Sequence, residues 1–334
     1  MRLATYNIEW MNSLFDDAGT LLDDDGWSGR HGVTRAAQIG ALRTVFSELD
    51  ADAIMIVEAP DSSKSRDTVR ALEAFAGFAG LRARKAVMGF ANDTQQEIAL
   101  LYDPDTLTVI HDPQVGPNAP RFDGSFAIDL DIDAHEDTVV FSKPPLELTV
   151  ETASGFAFHM IGAHLKSKAP HGAKTRDEVM RISIANRRKQ LAQAIWLRAR
   201  VAAHLEEATP LMVLGDLNDG PGLDEYEHLF GRSSVEIILG TDGAPPLFDP
   251  HAARALQRKL GAVPTTARFW IRPEKRFLQA LLDYIMVSPD LAARAPAWRI
   301  WHPLDDPGCW AKPALRDALV LASDHFPVSL DIDL

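Results

Sequence analysis

Apolar and polar residues alternate along the chain with two periods, one typical of helices and one typical of strands. Apolar side chains recur at helical spacing in residues 34–49 and 65–79, and a longer helical stretch covers roughly residues 177–207. Short apolar or alternating runs predict β-strands at residues 2–10, 53–58, 97–103, 107–110, 146–152, 156–164, 211–216, 281–287 and 327–332. This succession of strands and helices predicts an α/β protein.

Two segments interrupt this pattern. Residues 220–280 are rich in proline and glycine, and we interpret them as a long insertion within a single domain rather than as a second domain. Residues 111–140 contain Asp129, Asp131 and Asp133, whose spacing of two places them on one side of a strand. A solvated strand edge is favoured there over a cation site.

Composition and charge narrow the function classes. The 334 residues are 46% hydrophobic and 24% charged, which is typical of a globular protein with a large core. The formal net charge of −13 argues against a passive nucleic-acid coat, because phosphate binding requires positive charge. An enzyme that contacts phosphate only in a local groove remains compatible with this charge, since a bound cation supplies part of what is missing.

The expected location follows from what the sequence lacks. The single cysteine, Cys309, excludes an intrachain disulfide and fits a reducing compartment; its loop-like surroundings argue against a catalytic nucleophile. No basic and apolar leader is visible, and no run of about 18 apolar residues exists. We therefore expect a cytoplasmic protein with no stable membrane association, although a processed secreted chain is also compatible with the sequence.

Several apolar strands end in side chains that carry oxygen. These residues are Asn7, Glu58, Asp216, Asn218 and Asp324. If the strand ends meet at one rim of a sheet, they form an all-oxygen site of the kind that Mg²⁺ or Mn²⁺ prefers. Each residue also has a simpler interpretation: an edge hydrogen bond for Asn7, a salt bridge to Arg35 or a neighbour for Glu58, a turn for the GDLND segment, and a surface turn for Asp324.

Two histidines add candidate proton chemistry. His325 follows Asp324 just before the last strand, and Asp283, in an otherwise apolar strand, could fix its tautomer. His164 precedes two lysines and suits contact with a phosphoryl oxygen, with Glu97 as a residue that could orient it. His159 points to the opposite strand face and is interpreted as a packed residue.

Eight segments in order carry a family resemblance. They are TYNIEW, IVEAP, EIALLYD, KPPLELTV, IGAHLKSK, GDLND, LDYIMVSP and SDHFPV, and they extend from Asn7 to His325. The chain resembles the endonuclease/exonuclease/phosphatase superfamily, which includes pancreatic deoxyribonuclease, abasic-site endonucleases, neutral sphingomyelinases and inositol polyphosphate 5-phosphatases. The resemblance implies that residues 1–334 form one catalytic domain, a four-layer α/β/β/α sandwich of two packed mixed β-sheets with helices on the outside.

The resemblance also implies roles for individual residues. Asn7, Glu58 and Asp324 look like metal-site residues, joined by Asp216. Asp216 and Asn218 resemble the pair that positions the attacking water and the phosphate. The general base corresponds to His325 with Asp283 as its partner, and the phosphate-contacting histidine to His164, with Glu97 nearby. Lys143 stands where related chains often have arginine, so a clamping role there is not expected.

The implied reaction is hydrolysis of a phosphate ester by in-line attack of water, dependent on Mg²⁺ or Mn²⁺. Either His325 or Asp216 could be the base. Lys166, Lys168 and Arg176 suggest a groove for a polyanion, and basic and aromatic residues alternate around Trp270. We expect a nuclease or other phosphodiesterase with a nucleic-acid substrate; the alternatives are a phosphatase, a phospholipid phosphodiesterase and an inactive binding module. The sequence leaves the oligomeric state open.

Overall fold

The computed structural model describes residues 1–129, 137–170, 172–220, 231–240, 246–257, 263–271 and 275–334. Two large β-sheets form its centre. The first has the strand order β14-β15-β1-β2-β4-β3, and the second has the order β13-β10-β9-β8-β5. The strands of the first sheet are β1 (Arg2–Asn7), β2 (Ala53–Ala59), β3 (Lys85–Met88), β4 (Glu97–Tyr102), β14 (Ala297–Ile300) and β15 (Val328–Asp331). The strands of the second are β5 (Leu107–His111), β8 (Leu146–Thr152), β9 (Ala157–His164), β10 (Leu211–Asp216) and β13 (Asp283–Val287).

Both sheets are mixed, and each has a parallel pair at its centre. β1 runs parallel to β2, with Asn7 opposite Val57. β9 runs parallel to β10, with His164 opposite Asp216. Because parallel strands end at the same edge of a sheet, each pair brings its terminal polar residues together.

The two sheets pack face to face through apolar side chains. Met55 and Leu100 of the first sheet and Phe158 and Met160 of the second belong to one fully buried cluster. Gly162 of β9 faces Met55 so closely that a Cβ atom there would overlap its sulfur. This close approach brings the polar ends of the two sheets within side-chain reach of each other.

Helices cover the outer face of each sheet. α1 (Arg35–Leu49), α2 (Thr68–Ala79) and α8 (Pro313–Ala322) bury their apolar faces over the first sheet. α3 (Arg176–Glu206) covers the second sheet, together with the short α4 (Ser234–Leu239) and α5 (Pro250–Leu256). The remaining short helices are α6 (Pro289–Ala292) and α7 (Pro307–Trp310). The four-layer sandwich inferred from the sequence is thus confirmed.

Local signals fix where the helices begin. Thr34 caps α1 by accepting from the backbone N–H of Ala37. Thr175 and Glu178 form a capping box at the start of α3. β1 is shorter than the predicted strand at 2–10, because the chain leaves the sheet after Asn7 and Trp10 adopts a left-handed conformation before a 3₁₀ turn at Met11–Leu14.

The two interrupting segments contain structure that the sequence pattern does not predict. The described part of residues 220–280 includes α4, α5 and a hairpin of β11 (Ala267–Ile271) and β12 (Arg276–Ala280). A second small hairpin, β6 (Phe126–Ile128) with β7 (Asp137–Val139), falls in the 111–140 segment. Asp129 is exposed there, whereas Asp131 and Asp133 lie outside the described residues.

The length and composition of a helix determine whether it could cross a membrane. Within the described ranges, none of the helices combines the length and the apolar character needed to cross a bilayer.

Candidate active site

One cavity of about 780 Å³ lies where the central strands of the two sheets end. The first sheet contributes Glu58 to its lining, and the second contributes His164 and Asp216. Asp324 and His325, just before β15, also line it. The structure therefore brings together side chains as far apart in sequence as Glu58 and His325, as the strand-end pattern predicts.

Unusual backbone conformations aim several of these side chains into the cavity. Glu58 sits in a β-bulge between Val57 and Ala59, with φ at 60°. Asn218 also has a positive φ, 49°. Residues other than glycine rarely adopt this region, and such conformations concentrate at functional sites. Gly215, with φ at 136°, lies against the carbonyl of Ala163, where a Cβ atom would overlap it.

A cluster of oxygen-bearing side chains joins the two sheets. Asn7 Nδ2 donates to Asp216 Oδ2 at 2.9 Å and lies 3.5 Å from Glu58 Oε1. Gln96 Nε2 donates to the other Glu58 oxygen at 2.7 Å. Among the described residues, the buried oxygens Asn7 Oδ1 and Asp324 Oδ1 have no hydrogen-bond partner. Uncompensated oxygens of this kind fit a hard divalent cation.

His325 is held between two carboxylates. Its Nδ1 lies 2.8 Å from Asp283 Oδ2, and its Nε2 lies 3.9 Å from Asp216 Oδ2. The three side chains are close enough to hold a cation together. The hydrogen bond to Asp283 instead favours a proton-transfer role, because it engages Nδ1 and leaves Nε2 facing Asp216.

The pKa values of Glu58, Asp216 and His325 are all raised, by burial for the two carboxylates and by neighbouring negative charge for the histidine. Burial raises the pKa of Glu58 to about 7 and that of Asp216 to about 6. Burial alone would lower the pKa of His325, but the charge and hydrogen bond of Asp283, with Asp216 and Asp324, hold it well above its ordinary value. The neighbouring carboxylates thus favour the protonated form of His325.

His164 has a different environment. Its Nε2 lies 3.6 Å from Asp216, and Lys143 Nζ lies 3.2 Å from its Nδ1. Burial and the charge of Lys143 lower the pKa of His164 well below its usual value, so the ring is neutral. Lys143 also lines the cavity. The expectation that it plays no clamping role rests on its lack of bidentate geometry and not on where it lies.

Glu97 does not orient His164 in the structure. Its carboxylate accepts hydrogen bonds from Asn92 Nδ2 at 2.6 Å and from the backbone N–H of Ser62 at 3.3 Å. It is fully buried at the start of β4, next to the bulge that carries Glu58. Its position corrects the sequence interpretation: Glu97 ties together two loops beside the site, because those loops offer it donors that His164 does not.

The cationic residues are divided between the cavity and the surface. Lys166 and Lys168 line the cavity, and Lys168 Nζ lies 2.5 Å from the buried Asp219. Arg187 is also buried and donates to Asp219 at 2.9 Å. Arg176 is exposed at the first turn of α3 and does not line the cavity, since the helix axis carries it outward. The predicted groove is thus smaller than the sequence suggests.

One simpler interpretation of the acidic residues is wrong. Arg35 is not paired with Glu58; it donates from Nε to Asp24 at 2.8 Å. Glu58 therefore points into the cavity without an arginine partner among the described residues.

The structure adds site residues that sequence reasoning missed. Glu9 and Trp10 line the cavity, and both belong to the TYNIEW segment directly after Asn7. The β11–β12 hairpin forms an apolar wall with Phe269 and Leu278, and the Phe269 ring centre lies 5.4 Å from that of His325. Strand alternation directs Trp270 to the other side of the hairpin.

Comparison with known proteins places this site in a family context. The sequence matches the model of the Endonuclease/Exonuclease/phosphatase family over residues 4–325. No curated protein matches the chain in sequence. The resemblance inferred from the eight ordered segments is confirmed.

Solved structures with this fold cover the whole chain. They include an endonuclease/exonuclease/phosphatase from Bacteroides vulgatus, at 14% identity and a TM-score of 0.51, covering 100% of this chain and 98% of that one. A 3′-5′ exonuclease from Neisseria meningitidis, at 14% identity and a TM-score of 0.51, covers 100% of both chains. A mannosyl-6-phosphatase from Bacteroides thetaiotaomicron, at 14% identity and a TM-score of 0.52, also covers 100% of both. At this identity the likeness shows a common fold.

Proposed function

Because the chain belongs to the Endonuclease/Exonuclease/phosphatase family, whose members hydrolyse phosphate esters, we propose that it is a divalent-metal-dependent phosphodiesterase that acts as a nuclease. One observation carries this proposal. The hydrogen-bonded Asp283–His325 pair and the Asn7–Glu58–Asp216 cluster meet at a single cavity, which His325, Glu58 and Asp216 line. A site that holds both a base and a set of hard oxygen ligands supports hydrolysis rather than binding alone.

The donor set fits Mg²⁺ or Mn²⁺. Asn7, Glu58 and Asp324, with Asp216 beside them, would hold the ion through oxygen atoms. When bound, the ion polarises the phosphoryl oxygen and stabilises the departing oxygen. A cation held by these carboxylates would also offset their charge and so favour the neutral, proton-accepting form of His325.

The protein's own side chains supply the proton transfer. His325 Nε2 accepts a proton from the attacking water, while Asp283 accepts the Nδ1–H and fixes the tautomer. Asp216 is the second candidate base, and it is held in place by the backbone N–H of Asn218 at 2.8 Å and by Asn7. Neutral His164 and the nearby Lys143 stabilise the charge that develops on the phosphoryl oxygens.

The cavity supports a diester rather than a small monoester as the substrate. Its volume of about 780 Å³ exceeds what one phosphoryl group fills, and it combines Lys143, Lys166 and Lys168 with the apolar wall of the hairpin. A nucleotide backbone offers the matching combination of phosphate and ring. We therefore propose nucleic acid as the substrate class.

A substrate panel tests this proposal. Bis-p-nitrophenyl phosphate, plasmid DNA, RNA and p-nitrophenyl phosphate are each incubated with Mg²⁺ or Mn²⁺, with and without chelator. We expect hydrolysis of the diester and of at least one nucleic acid, and its loss in chelator. Faster cleavage of the monoester would favour a phosphatase, and no cleavage of any substrate would favour an inactive module.

A further inference from the structure

Trp10 is an exposed aromatic residue in the candidate active site, and it has no part in the proposed chemistry. Its side chain is 49% exposed, and it lines the same cavity as Glu58, Asp324 and His325. Burial in a core therefore does not explain why tryptophan stands here. Large apolar side chains exposed in a cavity commonly contact ligands.

The protein holds Trp10 in a conformation that a bulky residue rarely adopts. Its φ is 62° and its ψ is 25°, in the left-handed region. Strain of this kind persists only where the surroundings impose it, and it is concentrated at functional sites. At this left-handed residue the chain turns away from the direction of strand β1, and the indole lies at the cavity.

Two neighbours, Glu9 and Gly29, hold the indole in place. Its Nε1–H donates to Glu9 Oε1 at 2.9 Å, and Glu9 is itself paired with Arg30. Gly29, with φ at 101°, packs directly against it, since a Cβ atom there would lie 2.7 Å from the Trp10 Cβ. A fixed ring loses little conformational freedom when a ligand stacks on it.

Two other exposed tryptophans have ring partners and lie outside the cavity, unlike Trp10. Trp310 is 55% exposed but lies under the guanidinium of Arg316, 5.1 Å from the ring centre. Trp270 packs against Phe277 at 4.9 Å. Neither lines the cavity, whereas Trp10 has no aromatic or cationic ring partner among the described residues.

We propose that Trp10 is a stacking platform for a planar ring, such as a nucleobase, in the ester group next to the scissile phosphate. The inference rests on the proposed phosphodiesterase function and makes it more specific. Stacking of a base on an aromatic side chain tolerates any base, since every base has a π-face. Trp10 would thus favour nucleotide esters over simple alkyl esters without selecting a sequence.

Two substrates with the same leaving group test this role. They are the p-nitrophenyl ester of thymidine 5′-phosphate and methyl p-nitrophenyl phosphate, whose second ester group is a nucleoside in the first and a methyl group in the other. We expect Trp10→Ala to lower the kcat/KM ratio of thymidine ester to methyl ester by about tenfold, mainly through KM. Trp10→Phe keeps a π-face and should retain most of the preference. Trp310→Ala is the matched control and should leave both rates unchanged.

The outcomes separate stacking from a structural role. Equal losses on both esters in Trp10→Ala would overturn the proposal. A Trp10→Phe variant as impaired as Trp10→Ala would also overturn it, because the Nε1–Glu9 contact would then be what matters. Calorimetric binding of thymidine 5′-monophosphate needs no turnover: weaker binding by Trp10→Ala supports the platform even if neither ester is cleaved, and unchanged binding contradicts it.

Discussion

The Asp283–His325 hydrogen bond gives the sharpest prediction at the scale of single residues. His325→Ala removes the proposed base and should lower kcat by about 10² or more, because general base catalysis contributes on this order. The variant also leaves the buried Asp283 carboxylate without its histidine partner, so the melting temperature should fall, and kcat is measured well below it, where the protein is folded. Turnover near that of the wild type would contradict the assignment and leave Asp216 as the base.

Glu58 allows a second test with a matched control. Glu58→Gln keeps the shape and the contact with Gln96 but removes the charge of a proposed cation ligand. The Mg²⁺ concentration for half-maximal activity should rise by about tenfold or more. Glu97→Gln alters a neighbouring carboxylate whose pKa burial also raises to about 7, and it should leave metal affinity unchanged. Equal effects of the two variants on the Mg²⁺ dependence would contradict the assignment of Glu58 as a cation ligand.

What the sequence reveals about the site depends on the kind of residue. Glu58 and Asp216 are recognisable because a carboxylate that ends an apolar run needs a partner. Glu97 begins an apolar run and needs a partner for the same reason, yet its partners belong to loops whose path no periodicity determines. Trp10 gives no pattern at all, since its place in the cavity follows from a left-handed turn that only the structure shows.

At the scale of elements, alanine substitution at two glycines should lower the free energy of unfolding by unequal amounts. Gly215→Ala meets the backbone carbonyl of Ala163 at a φ of 136°, and neither can give way. Gly162→Ala meets the flexible end of Met55, which can move. Denaturant unfolding should show a loss of about 1–3 kcal/mol for Gly162→Ala and a larger one for Gly215→Ala. The reverse order would contradict the packing described here.

The contact between α3 and β9 predicts a pH dependence. His204 of α3 packs on His159 of β9 with ring centres 4.8 Å apart. Burial, with the charges of His159 and Arg200, lowers the pKa of His204 to about 4. The unfolded chain binds this proton as pH falls below about 6.5, while the folded chain does not until about 4, so stability is lost between these values.

Substitution of this histidine tests the argument. The free energy of unfolding should fall between pH 7 and pH 5 in both proteins, but by about 2 kcal/mol less in His204→Leu than in the wild type. Denaturant titrations at both pH values, with a reference at pH 8 where both imidazoles are neutral, measure the difference. Identical pH dependence in the two proteins would contradict it.

Elements were predictable wherever one periodicity runs without interruption. α1 and β2 match their predicted spans within a residue, because a cap or an acidic residue marks an end of each apolar pattern. The β11–β12 hairpin was not recognised: proline and glycine around it resemble a loop, and its strands pack on the site rather than on either sheet. Tertiary contacts, not local pattern, determine such elements.

At the scale of the whole molecule, the site is where the two sheets are joined by polar contacts. Asn7 of the first sheet donates to Asp216 of the second, Glu58 and Asp324 face the same cavity, and Asp283 lies behind His325. Burying several carboxylates together costs stability, as the raised pKa values of Glu58 and Asp216 indicate. A divalent cation bound here would relieve that cost in the folded state alone.

Cation binding should therefore stabilise the entire fold. A ligand at 100 times its Kd adds about 2.7 kcal/mol when it binds only the folded state, which for a chain of this size corresponds to about 4 °C in Tm. We expect Mg²⁺ or Mn²⁺ to raise Tm by this order in the wild type and in Glu97→Gln, and by about half as much in Glu58→Gln if its affinity is tenfold weaker. Because the net charge is −13, cations also bind the surface loosely. An equal rise in all three proteins would show that such surface binding, rather than the junction between the sheets, accounts for the stabilisation.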